Sequence, residues 1–167
     1  MVKEIIYIDS CIFVSKFLKE EKYKKIINFM KQAENSSDFV SSDWALTEVV
    51  KVLIKEKRKS PSKVANYIQE LMRTNEIDEI SFEWVKTEGK KKKYTFEKFF
   101  YEIQQRQLKF KGSLGDVIHG VIMKNNNIRN ILSIDSDFEG MKKVIVFNPL
   151  KEDFKVKWVK RNIRRKK

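Results

Sequence analysis

The stretches IIYIDS at residues 5–10 and ILSIDSD at residues 131–137 decide the fold class of this chain. Each is a short, mostly apolar run rich in β-branched residues that leads into an aspartate, Asp9 in the first and Asp135 in the second. A run of this length and composition predicts a strand buried on both faces of a sheet. Strands of that kind belong to parallel sheets, which bind ligands at the carboxyl ends of their strands.

Helical and strand-like patterns alternate outward from these two strands. Apolar residues at helical spacing predict helices, and short β-branched or alternating runs predict further strands. The helices are predicted at residues 13–30, 44–57, 61–72, 95–110 and 116–124, and the further strands at 39–40, 80–84 and 144–147. Short strands separated by helices indicate a three-layer α/β/α fold with a mostly parallel, about five-stranded sheet.

Length and composition indicate one domain in a reducing compartment. The 167 residues fit a single domain, which we assign to residues 1–150, followed by a basic C-terminal tail at residues 151–167. Cys11 is the only cysteine, which excludes an intramolecular disulfide. No secretory signal is evident, and no apolar stretch approaches the roughly 20 residues that a membrane helix needs. We therefore expect a cytoplasmic protein without a membrane partner.

The chain is strongly basic, with 36 Lys and Arg against 23 Asp and Glu and a formal charge of +13. Such an excess attracts polyanions, of which nucleic acid is the commonest, although a merely solubilising surface is the alternative. The residues predicted to contact nucleic acid are Lys90, Lys91, Lys92, Lys93, Lys160, Arg161, Arg164 and Arg165. For the tail, the alternative is that its aromatic part packs on the domain while its last residues fray in solvent.

Five acidic residues are expected at the carboxyl edge of the sheet. Asp9, Asp135 and Asp137 follow predicted strands. Glu48 lies in the second turn of a helix after a short strand, and Asp116 opens a helix after a turn framed by glycines. Carboxylates a few Å apart repel one another, and a bound cation removes that conflict. Oxygen ligands without a Cys/His set favour Mg²⁺ or Mn²⁺, which support phosphodiester hydrolysis.

Each of these acids also has a structural interpretation. Asp9 can cap the following helix, and Asp116 completes a capping-box pattern with Ser113. Glu48 can pair on the surface with the lysine three residues further on. The two aspartates in residues 135–137 can simply form a turn.

His119 and Cys11 have weaker functional interpretations. His119 follows Asp116 by three residues, so both can share one face of a helix and Asp-x-x-His can bind metal. A single histidine favours instead a packing role or a contact behind the metal ligands. His119 is also the only histidine that could activate Cys11, so we interpret Cys11 as a small core residue.

Four segments, in this order, resemble the acidic motifs of PIN-domain nucleases of the VapC-like group. They are IIYIDSCIFVSKF at residues 5–17, the pair Thr47-Glu48, GSLGDVIHGVIMKNN at residues 112–126 and ILSIDSDFEGMKKVIVFNP at residues 131–149. The last segment is the most specific, because Ser-x-Asp-x-Asp-Phe precedes a strand that ends at Asn-Pro. The resemblance runs from about residue 4 to residue 149, and residues 83–110 and the tail lie outside the pattern.

This resemblance implies a metal site and a set of supporting residues. The metal site would consist of Asp9, Glu48, Asp116 and Asp135, with Asp137 as an additional ligand or a contact behind the ligands. Three hydroxyl residues lie where the family supports its acids, namely Ser10, Thr47 and Ser133.

The resemblance also implies a function. PIN-domain nucleases of this group are Mg²⁺- or Mn²⁺-dependent endoribonucleases, they are often dimers, and their toxin members pair with an antitoxin. The expected partners are therefore RNA, an antitoxin and a second copy of the chain. Two alternatives stay open: an RNA-processing nuclease without an antitoxin, and a non-catalytic RNA-binding module on the same fold.

Overall fold

A parallel five-stranded sheet forms the centre of the computed structural model, which describes residues 3–73, 78–80, 96–107, 110, 112–151 and 154. The strands are β1 (Glu4–Ile8), β2 (Ser37–Ser42), β3 (Asp78–Ile80), β4 (Asn130–Leu132) and β5 (Ile145–Phe147). They lie side by side in the order β3-β2-β1-β4-β5, and each pairing is parallel. The predicted fold class is thereby confirmed.

Helices connect these strands in the described ranges. They are α1 (Ser10–Leu18), α2 (Tyr23–Ala33), α3 (Asp43–Lys51), α4 (Pro61–Arg73), α5 (Phe96–Gln107) and α6 (Leu114–Asn125). A π-helical segment (Val52–Glu56) continues α3, and a 3-10 helix (Asp137–Gly140) lies between β4 and β5. Within the described part of the chain, none of the helices combines the length and the apolar character needed to cross a membrane.

The two faces of the sheet carry separate apolar cores. Ile6 and Ile8 of β1 belong to the core formed with α1 to α4, whereas Tyr7 between them belongs to the core formed with α5 and α6. This alternation follows from the two-residue period of a strand. All three side chains are 0% exposed, so β1 is buried on both faces, as its apolar run predicts.

The register of the sheet brings three strand ends together. Tyr7 pairs with Val40 of β2, and Ile8 pairs with Leu132 of β4. The residues that follow β1, β2 and β4 therefore meet at one edge of the sheet. This edge carries the residues of the candidate site.

The single helix predicted at residues 13–30 is wrong, because the chain forms α1 and α2 with a break between them. α1 ends where Lys19 adopts a left-handed backbone with φ of 49°. Helices commonly end in this conformation, but glycine usually supplies it, so Lys19 gave no signal. The apolar spacing continues across the break, since Phe17 and Ile26 pack in the same core.

The other helix predictions hold in the described residues with local differences, one of which is that Phe110, the predicted end of α5, is not helical. The predicted helix at residues 44–57 is α3 followed by the wider π-helical turn. The predicted start at Ser60-Pro61 is observed, and the N–H of Val64 donates to the carbonyl of Ser60 at 3.1 Å. The strand predicted at residues 39–40 is observed, but it is longer and extends from Ser37 to Ser42 as β2.

Several predicted elements lie outside the described residues. They include most of the strand predicted at 80–84 and the predicted nucleic-acid contacts Lys90, Lys91, Lys92, Lys93, Lys160, Arg161, Arg164 and Arg165. Phe154 is the described part of the tail beyond residue 151. It is buried, and its ring centroid lies 5.3 Å from that of Phe29 and 5.8 Å from that of Phe147. At Phe154, therefore, the tail packs on the domain.

Candidate metal centre

Asp9 stands at the end of β1, where the sheet places it beside β4. Its backbone N–H donates to the carbonyl of Leu132 at 3.1 Å, which extends the pairing of the two strands by one residue. Asp9 precedes α1 with an extended backbone, but its side chain makes no capping hydrogen bond to that helix. The side-chain cap proposed as an alternative for Asp9 is therefore not observed, and the carboxylate turns to other partners.

Three side-chain donors hold the Asp9 carboxylate, which belongs to a residue only 4% exposed. Ser133 Oγ donates to Oδ2 at 2.7 Å and Cys11 Sγ donates to the same oxygen at 2.8 Å. Ser10 Oγ donates to Oδ1 at 3.3 Å. Burial and the charge of Asp9 raise the pKa of the Cys11 thiol well above its ordinary value, so the thiol keeps the proton that it donates.

Glu48 reaches the same edge from α3. Ser42 caps α3 by accepting the backbone N–H of Ala45 at 3.3 Å, and this start places Glu48 in the second turn of the helix. Glu48 Oε2 lies 2.7 Å from Nε2 of His119. The side chain thus points into the site rather than only along the helix surface.

The surroundings of Glu48 favour its ionised form. Burial acts to raise its pKa, but the hydrogen bond and electrostatic attraction of His119, with help from Ser10 and Lys51, lower the pKa below its ordinary value. Gly115 of α6 leaves space for the carboxylate, because a Cβ there would stand 2.6 Å from Glu48 Oε1. The α6 backbone therefore approaches Glu48 more closely than a larger residue would allow.

His119 lies between the two carboxylates, although the sequence prediction left it out of the site. Its imidazole is 1% exposed. Nε2 lies 2.7 Å from Glu48 Oε2 and 3.6 Å from Asp9 Oδ1. The sequence did contain one signal for this residue, the Asp116-x-x-His119 spacing on a helix, but a lone histidine was too weak a signal to decide its role.

A chain of hydroxyl groups holds the other side of the imidazole. His119 Nδ1 lies 2.7 Å from the Tyr7 hydroxyl, which lies 2.6 Å from Ser42 Oγ. An ionised Glu48 can only accept, so the short contact from Nε2 requires a proton on Nε2. One assignment satisfies each contact in turn: Ser42 donates to Tyr7, Tyr7 donates to Nδ1, and Nε2 donates to Glu48.

The group formed by Asp9, Glu48 and His119 is compact enough for a metal ion. One ligand atom from each residue lies within 4.8 Å of the others. The two carboxylates supply the hard oxygen ligands that Mg²⁺ and Mn²⁺ prefer, and His119 Nε2 donates to one of them. The donor set therefore fits a divalent cation.

Asp116 lies next to this group with a structural role of its own. It forms the capping box of α6 with Ser113: Asp116 Oδ2 accepts from the Ser113 backbone N–H and from Oγ, both at 2.8 Å. Burial raises the pKa of Asp116, and the charges of Asp135 and Asp9 raise it further against the effect of Ser113. Negative charge is therefore crowded here, and a cation would relieve the repulsion.

Asp135 and Asp137 are exposed and form the turn after β4. The N–H of Asp137 donates to Asp135 Oδ1 at 2.9 Å, and the N–H of Asp135 donates to Ser133 Oγ at 3.0 Å. Ser133 thus links the turn to the Asp9 carboxylate. Asp135 is close enough to influence Asp116 electrostatically, but the compact group contains neither exposed aspartate.

The three predicted supporting residues differ in position. Ser10 and Ser133 contact Asp9 directly. The hydroxyl of Thr47 instead donates to the carbonyl of Asp43 within α3 at 2.8 Å. The structure therefore connects two of the three hydroxyl residues to the acids.

Solved structures of VapC toxins share this fold, which confirms the resemblance to PIN-domain proteins at the level of the fold. No protein-family sequence model matches the chain, and no curated protein sequence matches it.

Three solved structures illustrate the likeness. VapC20 from Mycobacterium tuberculosis, described as a Sarcin-Ricin loop cleaving toxin, has a TM-score of 0.58 and 12% identity over 82% of this chain and 95% of its own. VapBC2 from Rickettsia felis, bound to promoter DNA, has a TM-score of 0.61 and 12% identity over 86% and 98%. A toxin-antitoxin complex from Klebsiella pneumoniae has a TM-score of 0.53 and 15% identity over 86% and 97%.

Proposed function

We propose that this chain is a metal-dependent endoribonuclease that hydrolyses RNA phosphodiester bonds. The supporting observation is the meeting of Asp9, Glu48 and His119 within 4.8 Å, with Asp116 beside them, at the ligand-binding edge of a parallel sheet. The excess of positive charge on the rest of the chain favours a polyanionic substrate. The fold shared with VapC toxins is consistent with this chemistry.

The carboxylates would hold Mg²⁺ or Mn²⁺. Asp9 and Glu48 would supply oxygen ligands, and Asp116, Asp135 and Asp137 would add ligands or hydrogen-bonded waters. When bound, such an ion activates water and stabilises negative charge on a phosphate.

The residues of the chain have separate tasks in this proposal. Ser133 and Cys11 fix the orientation of Asp9, so that one buried carboxylate keeps a constant direction. Glu48 has a side chain 23% exposed, and its lowered pKa keeps it ionised. A carboxylate of that kind is a weak base, so Glu48 would orient the attacking water through a hydrogen bond rather than remove its proton.

We further propose that the enzyme is the toxin of a toxin–antitoxin pair and acts as a homodimer. The support is the likeness to VapC20, which is described as a toxin, and to a toxin-antitoxin complex. The alternative is an RNA-processing nuclease without an antitoxin. Expression of the chain alone in a bacterial host should arrest growth if it is a toxin, and an Asp9→Asn chain should not.

Cleavage of RNA tests the enzymatic proposal directly. The purified chain should cut RNA internally with Mn²⁺ or Mg²⁺ and stop when EDTA is added. Asp9→Asn should reduce cleavage to background while the circular dichroism spectrum stays unchanged. Asp38→Asn is the matched control, because Asp38 lies on β2 and pairs with Lys3 at the surface at 3.0 Å. Salt-dependent RNA binding without cleavage in any divalent metal would favour the non-catalytic alternative.

Thermal unfolding gives a second, independent readout. A metal that binds the folded chain raises its stability by about 2.7 kcal/mol when present at roughly 100 times the dissociation constant. Millimolar Mn²⁺ should therefore raise the melting temperature of the wild type and of Asp38→Asn, and should raise that of Asp9→Asn much less. An unchanged melting temperature in the wild type would argue strongly against a metal centre.

A further inference from the structure

A cavity of about 390 Å³ opens on the α5/α6 side of the sheet. Its apolar wall consists of Phe110, Val117 and Met141, with Gly140 beside them. We call it the Phe110 cavity. Pockets for small ligands range from about 300 to 1,000 Å³, so this volume suits one compact group rather than a polymer segment.

Basic side chains form the rim of the Phe110 cavity. Arg106, Lys142 and Lys143 line it, and the same three residues also line a neighbouring cavity of about 230 Å³. The second cavity adds Lys124 and Arg129. In the part of the chain that the structure describes, no Asp or Glu lines either cavity. The basic residues that line the two cavities therefore favour anions.

Close packing around Gly120 shapes this region. A Cβ at Gly120 would stand 2.5 Å from Met141 Sδ and 3.2 Å from Arg106 Nη1, so the absence of a side chain lets both groups approach α6. Arg106 Nη1 also donates to the Gly120 carbonyl at 3.2 Å. The guanidinium is thus tied to α6 at the cavity.

The Phe110 cavity adjoins the candidate metal centre. A Cβ at Gly112 would overlap the Phe110 ring and would stand 3.0 Å from Asp116 Oδ2, so the ring and the carboxylate flank the same backbone position. Val117 lines the cavity and directly follows Asp116 on α6. A ligand in the cavity would therefore lie next to the acids.

We propose that the Phe110 cavity is a nucleotide subsite that holds one unstacked base of single-stranded RNA beside the phosphate that is cut. The base would contact Phe110, and the neighbouring phosphates would contact Arg106, Lys142 and Lys143. This inference rests on the proposed ribonuclease function and specifies its substrate as RNA that is single-stranded at this position.

Two chemical features select a nucleotide over other anions. The apolar wall and its aromatic ring are complementary to a flat, apolar group, and the basic rim is complementary to a negative charge. A base with its phosphates supplies both, and stacking of bases on aromatic side chains is a common mode of single-strand binding. Bases inside a duplex are already stacked and paired, so a duplex would offer only its phosphates to the rim.

A comparison of strands with and without bases tests this subsite. The proteins carry Asp9→Asn so that RNA is not cut, and anisotropy measures binding of a labelled 12-nucleotide uridine strand and of a ribose-phosphate strand of equal length without bases. Phe110→Ala should weaken binding of the uridine strand about 5- to 50-fold. It should change binding of the base-free strand less than twofold. Phe100→Ala is the matched control, because Phe100 on α5 is 52% exposed, and it should affect neither strand.

Loss of the cationic rim should affect both strands, because both carry phosphates. Lys142→Gln together with Lys143→Gln should weaken both strands and reduce the salt dependence of binding, by about 0.7 in logarithmic slope for each lost phosphate contact. If Phe110→Ala does not fold, two measurements replace it. They are the effect of the exposed lysine double variant and the preference of the chain with Phe110 intact for the strand that carries bases. Equal affinity of the chain with Phe110 intact for the two strands would then overturn the subsite.

Other outcomes separate the subsite from the nuclease. An equal effect of Phe110→Ala on both strands, or no effect on either, would remove the subsite even if the wild type cuts RNA. A second outcome concerns a polyglutamate peptide, whose binding is measured in the absence of RNA. If Phe110→Ala abolishes binding of this peptide and leaves RNA binding unchanged, the cavity belongs to an acidic protein partner and the proposal is overturned. A base-dependent effect of Phe110 in a chain that never cleaves RNA would support the subsite and refute the enzyme.

Discussion

Replacing Tyr7 with phenylalanine removes one oxygen from the middle of the polar chain that joins Ser42 to Glu48. The Tyr7 hydroxyl lies 2.6 Å from Ser42 Oγ and 2.7 Å from His119 Nδ1, and all three side chains are at most 1% exposed. The ring of Tyr7 can stay in place in the variant. The change is therefore confined to the hydrogen bonds that orient the imidazole facing Glu48.

The expected magnitude follows from these contacts. Tyr7→Phe leaves two buried polar atoms without their partner, which costs about 1–3 kcal/mol of the free energy of unfolding. A group that orients a metal ligand typically contributes a factor of about 10–100 in metal affinity. Tyr7 acts on Glu48 only through His119, so we expect the lower end of that range, roughly tenfold weaker Mg²⁺ binding.

Tyr67→Phe is the matched control for this perturbation. Tyr67 also donates its hydroxyl in the interior, to the carbonyl of Phe13 at 2.9 Å, but it lies in the core on the other face of the sheet. Its loss should cost about 1 kcal/mol of stability. It should leave Mg²⁺ affinity unchanged, so a comparison of the two variants separates stability from metal binding.

Calorimetry gives the Mg²⁺ affinity, and nitrogen NMR gives the position of the proton on the imidazole. His119 is the only histidine, so the spectrum of a tag-free chain reports on this one ring. We expect a proton on Nε2 in the wild type, with and without Mg²⁺. An unprotonated Nε2 in the Mg²⁺-loaded chain would make His119 a metal ligand, and equal Mg²⁺ affinity in the two Tyr variants would refute the orienting role.

Three further perturbations test the same site. Gly115→Ala should displace the Glu48 carboxylate and weaken Mg²⁺ binding in calorimetry, whereas Gly140→Ala, where the nearest atom is 3.7 Å away, should not. Burial and repulsion raise the pKa of Asp116, so the metal-free chain should lose stability as pH rises from its ordinary value of 3.8 through the raised one. Asp116→Asn should flatten that loss in denaturant titrations and reduce the rise of melting temperature caused by metal; a variant with the wild-type pH profile would contradict this. Burial raises the pKa of the Cys11 thiol, so this cysteine should resist alkylation by iodoacetamide at neutral pH, as mass spectrometry would show; rapid labelling of the folded chain would contradict its hydrogen bond to Asp9.

Local sequence patterns were sufficient to predict β1, β4 and β5 to within a residue or two, because each is a short apolar run, whereas β2 was predicted too short and β3 overlaps its prediction only at Ile80. A strand such as β1, with all of Ile6, Tyr7 and Ile8 buried, must be apolar on both faces, and this is visible in five consecutive residues. The end of α1 was not predictable in the same way. Lys19 adopts a left-handed backbone with φ of 49°. Glycine, the usual sequence signal for a helix end of this kind, is absent, and the apolar spacing continues beyond the break.

The proximity of Asp9 and Glu48 was also predictable in part, because Asp9 directly follows an apolar strand and Glu48 lies in the second turn of a helix that follows another strand. The role of His119 was not, because its partners come from distant segments. Tyr7 is 112 residues away from His119, Glu48 is 71 residues away, and Tyr7 is itself 35 residues from Ser42. Only the parallel pairing of β1 with β2, and the packing of α6 against both, brings these groups together.

α6 explains how an acidic site can work within a basic protein. Asp116 and His119 are three residues apart and face the acids, whereas Val117 and Gly120, also three residues apart, belong to the cationic cavities. One helix therefore separates two opposite electrostatic surroundings by a rotation of about 100° per residue. The Ser113 capping box sets where this helix begins and hence its rotation. The geometry of α6 thus couples the proposed metal centre to the proposed RNA subsite. A rotation of α6 would move the face of Asp116 and His119 together with the face of Val117 and Gly120.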